Sequence, residues 1–267
     1  MSVDSDPVLA VTVRAARRAA AVVIDAARDL KRLPTFSKEH GEIVNAANAE
    51  AGQAIVATIS AAFPDHGILA GPHTGTGSNP ASPYRWIVDP LDGLMNFVHG
   101  FPYFAISIAL AHGNQVTHAV VLDPVHDELF TAVHGRGAQL NNAPIHTSGA
   151  TRMQDALIGT VIPPRKSSRL PRYLPIFNAL ALRCTLRRAG SSALDLAYVA
   201  AGRLDGMFLL TLDATEVAAG ALLVTEGGGR VGDFAGSPDF MRNSDVIAAA
   251  PGIFNPLREA VASAAPR

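Results

Sequence analysis

The sequence contains one cysteine, Cys184, one tryptophan, and aromatic residues that make up only 6% of its 267 positions. A single cysteine excludes a disulfide bond within the chain, so we expect a protein of the reducing cytoplasm. No apolar run approaches the roughly 20 residues that cross a bilayer, and we expect no membrane segment. The net charge of −1 provides no overall field that would attract nucleic acid or an anionic membrane.

Apolar residues make up 48% of the chain and charged residues 17%, which is typical of a soluble protein with a large core. The amino-terminal segment has arginines every three or four positions, which indicates an amphipathic helix rather than a secretion signal. We predict this helix over residues 7–32, with Asp6 as its cap and Pro7 at its first position. A second helical pattern runs from about Ala46 to Ala62 and ends at Phe63-Pro64.

The two halves of the chain differ in the secondary structure that their sequences predict. Four strand-like runs separated by turn signals predict an antiparallel meander in the first half: Tyr84–Val88, Phe104–Ala111, Val116–Leu122 and Glu128–Val133. Strands alternate with helices after residue 150, which favours an α/β arrangement there. We therefore predict an N-terminal α+β domain over residues 1–147 and a C-terminal α/β domain over residues 148–267.

The run Asp89-Pro90-Leu91-Asp92-Gly93 follows a strand-like apolar segment. A buried strand that ends in such a turn can direct both carboxylates and the Leu91 carbonyl at one point, and oxygen ligands suit Mg²⁺. Asp-Pro and Asp-Gly are also common turn formers, so the residues alone favour a plain turn over a metal site.

Three segments carry a resemblance to a known family. The Asp89–Gly93 run, with Asn96 and Phe97 following in register, resembles a signature of the inositol monophosphatase family. The segment 190–206 resembles the helix-start motif of its second domain, and the segment 217–229 resembles the helix that follows its last metal-binding aspartate. The resemblance covers nearly the whole chain and is closest to the bacterial subgroup of extragenic suppressor proteins. It implies a layered αβαβα sandwich of the inositol monophosphatase/fructose-1,6-bisphosphatase type, usually dimeric, which hydrolyses phosphate monoesters with Mg²⁺.

The resemblance also implies roles for individual residues. It assigns the metal ligands to Asp89, Leu91, Asp92 and Glu216. The start of a helix at Gly190, Ser191 and Ser192 offers backbone amides to a phosphate or other small anionic substrate, although such helix starts are common without a ligand.

The sequence departs from the family pattern at several of these positions. Gly71 and Pro72 replace the family's pair of glutamates, and Leu94 replaces its water-orienting threonine. Glu216 stands in place of an aspartate, and Leu209 in place of the glutamate that holds inositol. We therefore predict that no intact catalytic set is present, that Mg²⁺ binds weakly, at a single site or not at all, and that phosphatase activity is weak or absent.

Three functions from different classes follow. The first, which the resemblance implies, is a non-catalytic homodimeric protein that contacts the transcription machinery in antitermination. The sequence has no direct nucleic-acid signature. The second is an active Mg²⁺-dependent phosphatase on inositol monophosphate or another small phosphate monoester. A sensor that binds a phosphorylated metabolite without hydrolysing it is a third. The basic cluster Arg183, Arg187 and Arg188 fits a partner surface, a solvated surface or a dimer interface.

Overall fold

The computed structural model describes residues 6–70, 79, 81–210, 213–241 and 245–265. Its helices are α1 (Pro7–Leu30), α2 (Lys38–Ala62), α3 (Leu94–Val98), α4 (Leu170–Ala181), α5 (Ser192–Ala200), α6 (Ala214–Glu226) and α7 (Pro251–Ala264), with one 3₁₀ turn at Met153–Asp155. No helix in these ranges is both long and apolar enough to span a bilayer.

The described strands form two sheets. The first sheet has the order β1 (Gly67–Ala70), β2 (Tyr84–Asp92), β3 (Ala105–His112), β4 (Gln115–Asp123), β5 (Glu128–Val133), β6 (Ala138–Leu140) and β7 (Ala143–Ile145). The second sheet has the order β11 (Arg230–Gly232), β12 (Val246–Ala249), β10 (Gly206–Leu209), β8 (Leu157–Thr160) and β9 (Thr185–Arg187). Strands β2 to β7 pair antiparallel in chain order, which confirms the predicted meander.

The helices cover the sheets in alternating layers. Helices α1 and α2 share a core with one face of the first sheet. Helices α5 and α6 lie between the two sheets and bury residues from both. Helices α4 and α7 cover the outer face of the second sheet. This order confirms the αβαβα sandwich, while the predicted division at residue 147 stays a prediction.

The first two helices show how local signals set their boundaries. The carboxylate of Asp6 accepts hydrogen bonds from the backbone amides of Val8 and Leu9, as predicted for a cap. The prediction that α2 begins near residue 46 is wrong, because Ser37 caps a helix that starts at Lys38. The Ser37 hydroxyl accepts a hydrogen bond from the His40 amide, and Gly41 is tolerated in the second turn.

Candidate functional site

Asp89, Leu91 and Asp92 lie at the carboxyl end of β2. Asp89 pairs with Ser107 of β3 and Asp92 pairs with Ala105, so the strand carries an irregularity between the two aspartates. Pro90 lies in this interval and has no amide to donate to the ladder. The strand therefore continues through the whole motif instead of ending at Val88, and it places both carboxylates at one end of the sheet.

The carboxylate of Asp92 is bound to the beginning of α5. Its Oδ2 atom accepts hydrogen bonds from the Ser191 hydroxyl at 2.5 Å and from the Ala193 amide at 2.8 Å. Asp92 is 8% exposed, and burial raises its pKa although these hydrogen bonds act in the opposite direction. The group bound at this helix start is thus a side chain of the protein itself.

Asp89 lies in a strongly acidic environment. Its Oδ1 atom accepts a hydrogen bond from the Leu91 amide at 3.0 Å. Burial raises its pKa well above the usual range, and the nearby charges of Asp92, Glu216 and Asp213 raise it further. Glu216 and Asp213 belong to the start of α6, so carboxylates from this helix lie near the carboxylates at the end of β2.

Sequence reasoning missed Asp213. This residue is the N-cap of α6, and its carboxylate accepts a hydrogen bond from the Thr215 amide at 3.0 Å. The signal was present, since an aspartate followed three residues later by a glutamate is typical of a helix start. Its closeness to Asp89 depends on the packing of α6 against the first sheet, which the local sequence does not reveal.

The acids fit a divalent cation in chemistry but not in arrangement. Carboxylate oxygens are the ligands that Mg²⁺ prefers, and a cation would offset the mutual repulsion around Asp89. Among the described residues, however, no three His, Cys, Asp or Glu side chains come together closely enough to hold a metal ion.

The other residues that depart from the family pattern lie in different surroundings. Leu94 is the first residue of α3, two residues after Asp92, and is 42% exposed. Leu209, at the end of β10, is buried in the core around the central helices. Gly71 and Pro72 lie outside the described residues, and the consequences predicted for them stay predictions.

Gly190, Ser191 and Ser192 lie together at the start of α5, next to Asp92. Gly190 has a φ of +95°, and a side chain there would meet the amide group of Asn96. The Asn96 amide donates hydrogen bonds to the carbonyl of Tyr103 at 2.6 Å and to that of Ala189 at 2.8 Å. Asn96 therefore holds the turn before α5 against the segment after α3. Substrate binding at residues 190–192 stays a prediction.

Comparison with known proteins identifies relatives over most of the chain. The model of a family described as the inositol monophosphatase family matches residues 4–265. The Nus factor SuhB of Pseudomonas aeruginosa is 43% identical over 250 residues, which are 91% of each chain. The Nus factor SuhB of Vibrio cholerae is 39% identical over 246 residues, which are 92% of each chain.

Solved structures agree with this relationship. The extragenic suppressor protein SuhB from Bartonella henselae superimposes with a TM-score of 0.86 at 35% identity, over 96% of this chain and 99% of that one. The inositol monophosphatase from Anabaena gives a TM-score of 0.82 at 31% identity, over 96% of this chain and 95% of that one.

Proposed function

The chain belongs to the inositol monophosphatase family, and from this premise we propose that it is a weak or inactive phosphatase that acts through contacts with the transcription machinery. The proposal includes a homodimer located in the cytoplasm. Mg²⁺ binds weakly, at a single site or not at all. The family's activity depends on magnesium, so the condition of the acidic site decides how much activity remains.

One observation carries the proposal. The carboxylate of Asp92 is already hydrogen-bonded to the start of α5, and among the described residues no three metal-binding side chains come together. A metal-dependent hydrolase needs several oxygens that converge on its cations. Leu94 also offers no hydroxyl to orient a water molecule. The loss of one preorganised group typically costs about 2.7–4 kcal/mol in barrier height, and such losses do not add fully.

The transcription role is supported by the names of the relatives and by the surface of the chain. Relatives that are 36–43% identical to this chain are named Nus factor SuhB, and some of them carry the name putative Nus factor SuhB. The net charge of −1 suits protein partners better than direct contact with RNA. Leu182 is 90% exposed and precedes Arg183, which places an apolar side chain beside a cation on one accessible surface. Such mixed surfaces are typical of protein contacts.

Turnover of inositol monophosphate with saturating Mg²⁺ tests the catalytic half of the proposal. We expect a kcat well below 1 s⁻¹, and the Asp92→Asn variant should show the same background. A kcat of about 1 s⁻¹ or more, within the usual enzyme range, that disappears in Asp92→Asn would overturn it.

Co-purification with RNA polymerase tests the transcription half. Tagged polymerase isolated from the natural host should retain the chain, and Leu182→Asp should reduce its amount while Leu174→Asp serves as a matched exposed-leucine control. Absence of the chain from washed polymerase complexes would contradict this role.

The acidic cluster favours a second candidate, an active Mg²⁺-dependent phosphatase on a small phosphate monoester. The charges of three further carboxylates act on Asp89, and this chemistry attracts cations. Calorimetry separates the candidates, because tight Mg²⁺ binding that is abolished by Asp92→Asn supports the enzyme.

A further inference from the structure

A cavity of about 320 Å³ lies beneath the connection between α1 and α2. Its apolar floor is formed by Leu30, Phe97 and Phe104, all of which are buried. The last turns of α1, the first turn of α2 and the segment that follows α3 enclose it. Its volume lies within the roughly 300–1,000 Å³ of small-molecule sites.

The ionisable side chains that line this cavity are all basic. Arg28 and Lys31 come from α1, His40 from α2 and His99 from the segment after α3, and none of the lining residues is an aspartate or glutamate. Arg28 pairs with Asp25 at 2.9 Å. Lys31 forms no ion pair with any residue that the structure describes. The cavity therefore combines an apolar floor with a cationic rim.

His40 adds a polar side chain to the lining of the cavity. The residue is 3% exposed and lines the cavity. Its backbone amide is used by the Ser37 cap, but its ring makes no hydrogen bond to a described residue. Because its ring has no partner among the described residues and the residue lines the cavity, His40 is available to hydrogen-bond a molecule bound there.

The cavity is separate from the acidic site. Phe97 and Phe104 belong to the core between the first sheet and helices α1 and α2. Asp89 shares the opposite strand face with Ile87, which belongs to the core around α5 and α6. The two sites also have opposite charge.

We infer that this cavity binds a small organic anion whose apolar body packs on Phe97 and Phe104. Its carboxylate, sulfonate or phosphate group lies near Lys31 and His40. The volume admits a molecule with one or two rings or a short chain, and excludes a complete diacyl lipid.

Fluorescence titration with 8-anilinonaphthalene-1-sulfonate tests the inference on the intact chain. We expect saturable binding at one site. N-phenyl-1-naphthylamine has the same apolar rings without the sulfonate, and it should bind at least about tenfold more weakly, since an ionised group strengthens a hydrogen bond to a charged partner.

Two variants locate the site. Lys31→Gln should weaken binding of the sulfonate about threefold to tenfold, whereas Arg32→Gln, the same charge change one residue later and outside the cavity lining, should leave it unchanged. Ala27→Leu fills space in the cavity and should weaken both probes at least about fivefold, with circular dichroism to check folding. Absence of saturable binding, or binding that is unaffected by Lys31→Gln and by a folded Ala27→Leu protein, would overturn the inference.

Discussion

The phenolic hydroxyl of Tyr103 donates a hydrogen bond of 2.7 Å to Oδ1 of Asp195, which joins the segment before β3 to the first turn of α5. Asp195 is 1% exposed, and its Oδ2 atom makes no hydrogen bond among the described residues. Burial raises the pKa of Asp195 to about 7. This carboxyl group is therefore largely protonated in the folded protein at pH values where it is ionised in the unfolded chain.

The raised pKa of Asp195 predicts a pH-dependent cost to stability. A group whose pKa is higher in the folded protein than in the unfolded chain contributes its full stabilisation below the unfolded value, here about 3.9. This contribution to the free energy of unfolding is lost as the pH rises through the folded value of about 7. The rise of the Asp195 pKa from about 3.9 to about 7 corresponds to about 4 kcal/mol. Asp195→Asn keeps the acceptor for Tyr103 and removes the titration. Its unfolding free energy relative to wild type should therefore increase between pH 4 and pH 8.

Urea unfolding at several pH values measures this difference. Asp25→Asn serves as the control, because the Asp25 side chain is 73% exposed. A difference between Asp195→Asn and wild type that stays constant across this pH range would contradict the prediction.

Asn96→Ala should loosen the turn that precedes α5. The variant leaves the carbonyls of Tyr103 and Ala189 without their amide donor, and a lost buried hydrogen bond costs about 1–3 kcal/mol. Denaturant unfolding measures the loss. Asn114→Ala, on an exposed turn, should change stability by less than about 0.5 kcal/mol, and equal effects of the two variants would refute the role of Asn96.

Gly220→Ala should destabilise the protein although alanine favours helices. An added Cβ at this position would lie 2.4 Å from Cβ of Leu196, so α5 and α6 would have to move apart. Overpacking of this kind costs about 1–3 kcal/mol. Gly41→Ala is the matched control, since nothing lies within 4 Å of its added Cβ, and it should stabilise by about 0.5–1 kcal/mol. Thermal unfolding of both variants shows whether each is stabilised or destabilised relative to wild type. A stabilised Gly220→Ala protein would contradict the close packing of α5 and α6.

Glu226→Gln should weaken the contact between the end of α6 and the turn after β5. The two oxygens of Glu226 accept hydrogen bonds from the amides of Gly135 and Gly137, each at 2.8 Å. A glutamine can accept only one of them, so we expect a loss of about 1–3 kcal/mol in denaturant unfolding. Glu259→Gln, whose side chain is 71% exposed, should be neutral, and a neutral Glu226→Gln protein would be evidence against this contact.

Local signals in the sequence predicted much of the fold. Asp6 and Pro7 indicate the start of α1, and alternating apolar runs indicate the strands of the meander. Helix α4 was not predicted, because Pro171 and Pro175 suggest an interruption. Pro171 lies in the first turn, where no amide is needed, while Pro175 is accommodated inside the helix.

The candidate site was predicted less completely than the fold. Asp89 and Asp92 stand out because two carboxylates flank a proline and a leucine. The binding of Asp92 by Ser191 joins residues 99 positions apart, and no local pattern encodes such a contact. Asp213 and Asp195 likewise acquire their importance only when the central helices pack against the first sheet.

The position of α5 and α6 between both sheets has a consequence for synthesis of the chain. One face of the first sheet is complete in sequence at Ile145, but the helices that cover it begin at Ser192 and end at Glu226. During translation, therefore, the nascent chain carries an uncovered apolar sheet until the ribosome has made the second half. Ribosome-bound chains that stop between these points should depend most on chaperones.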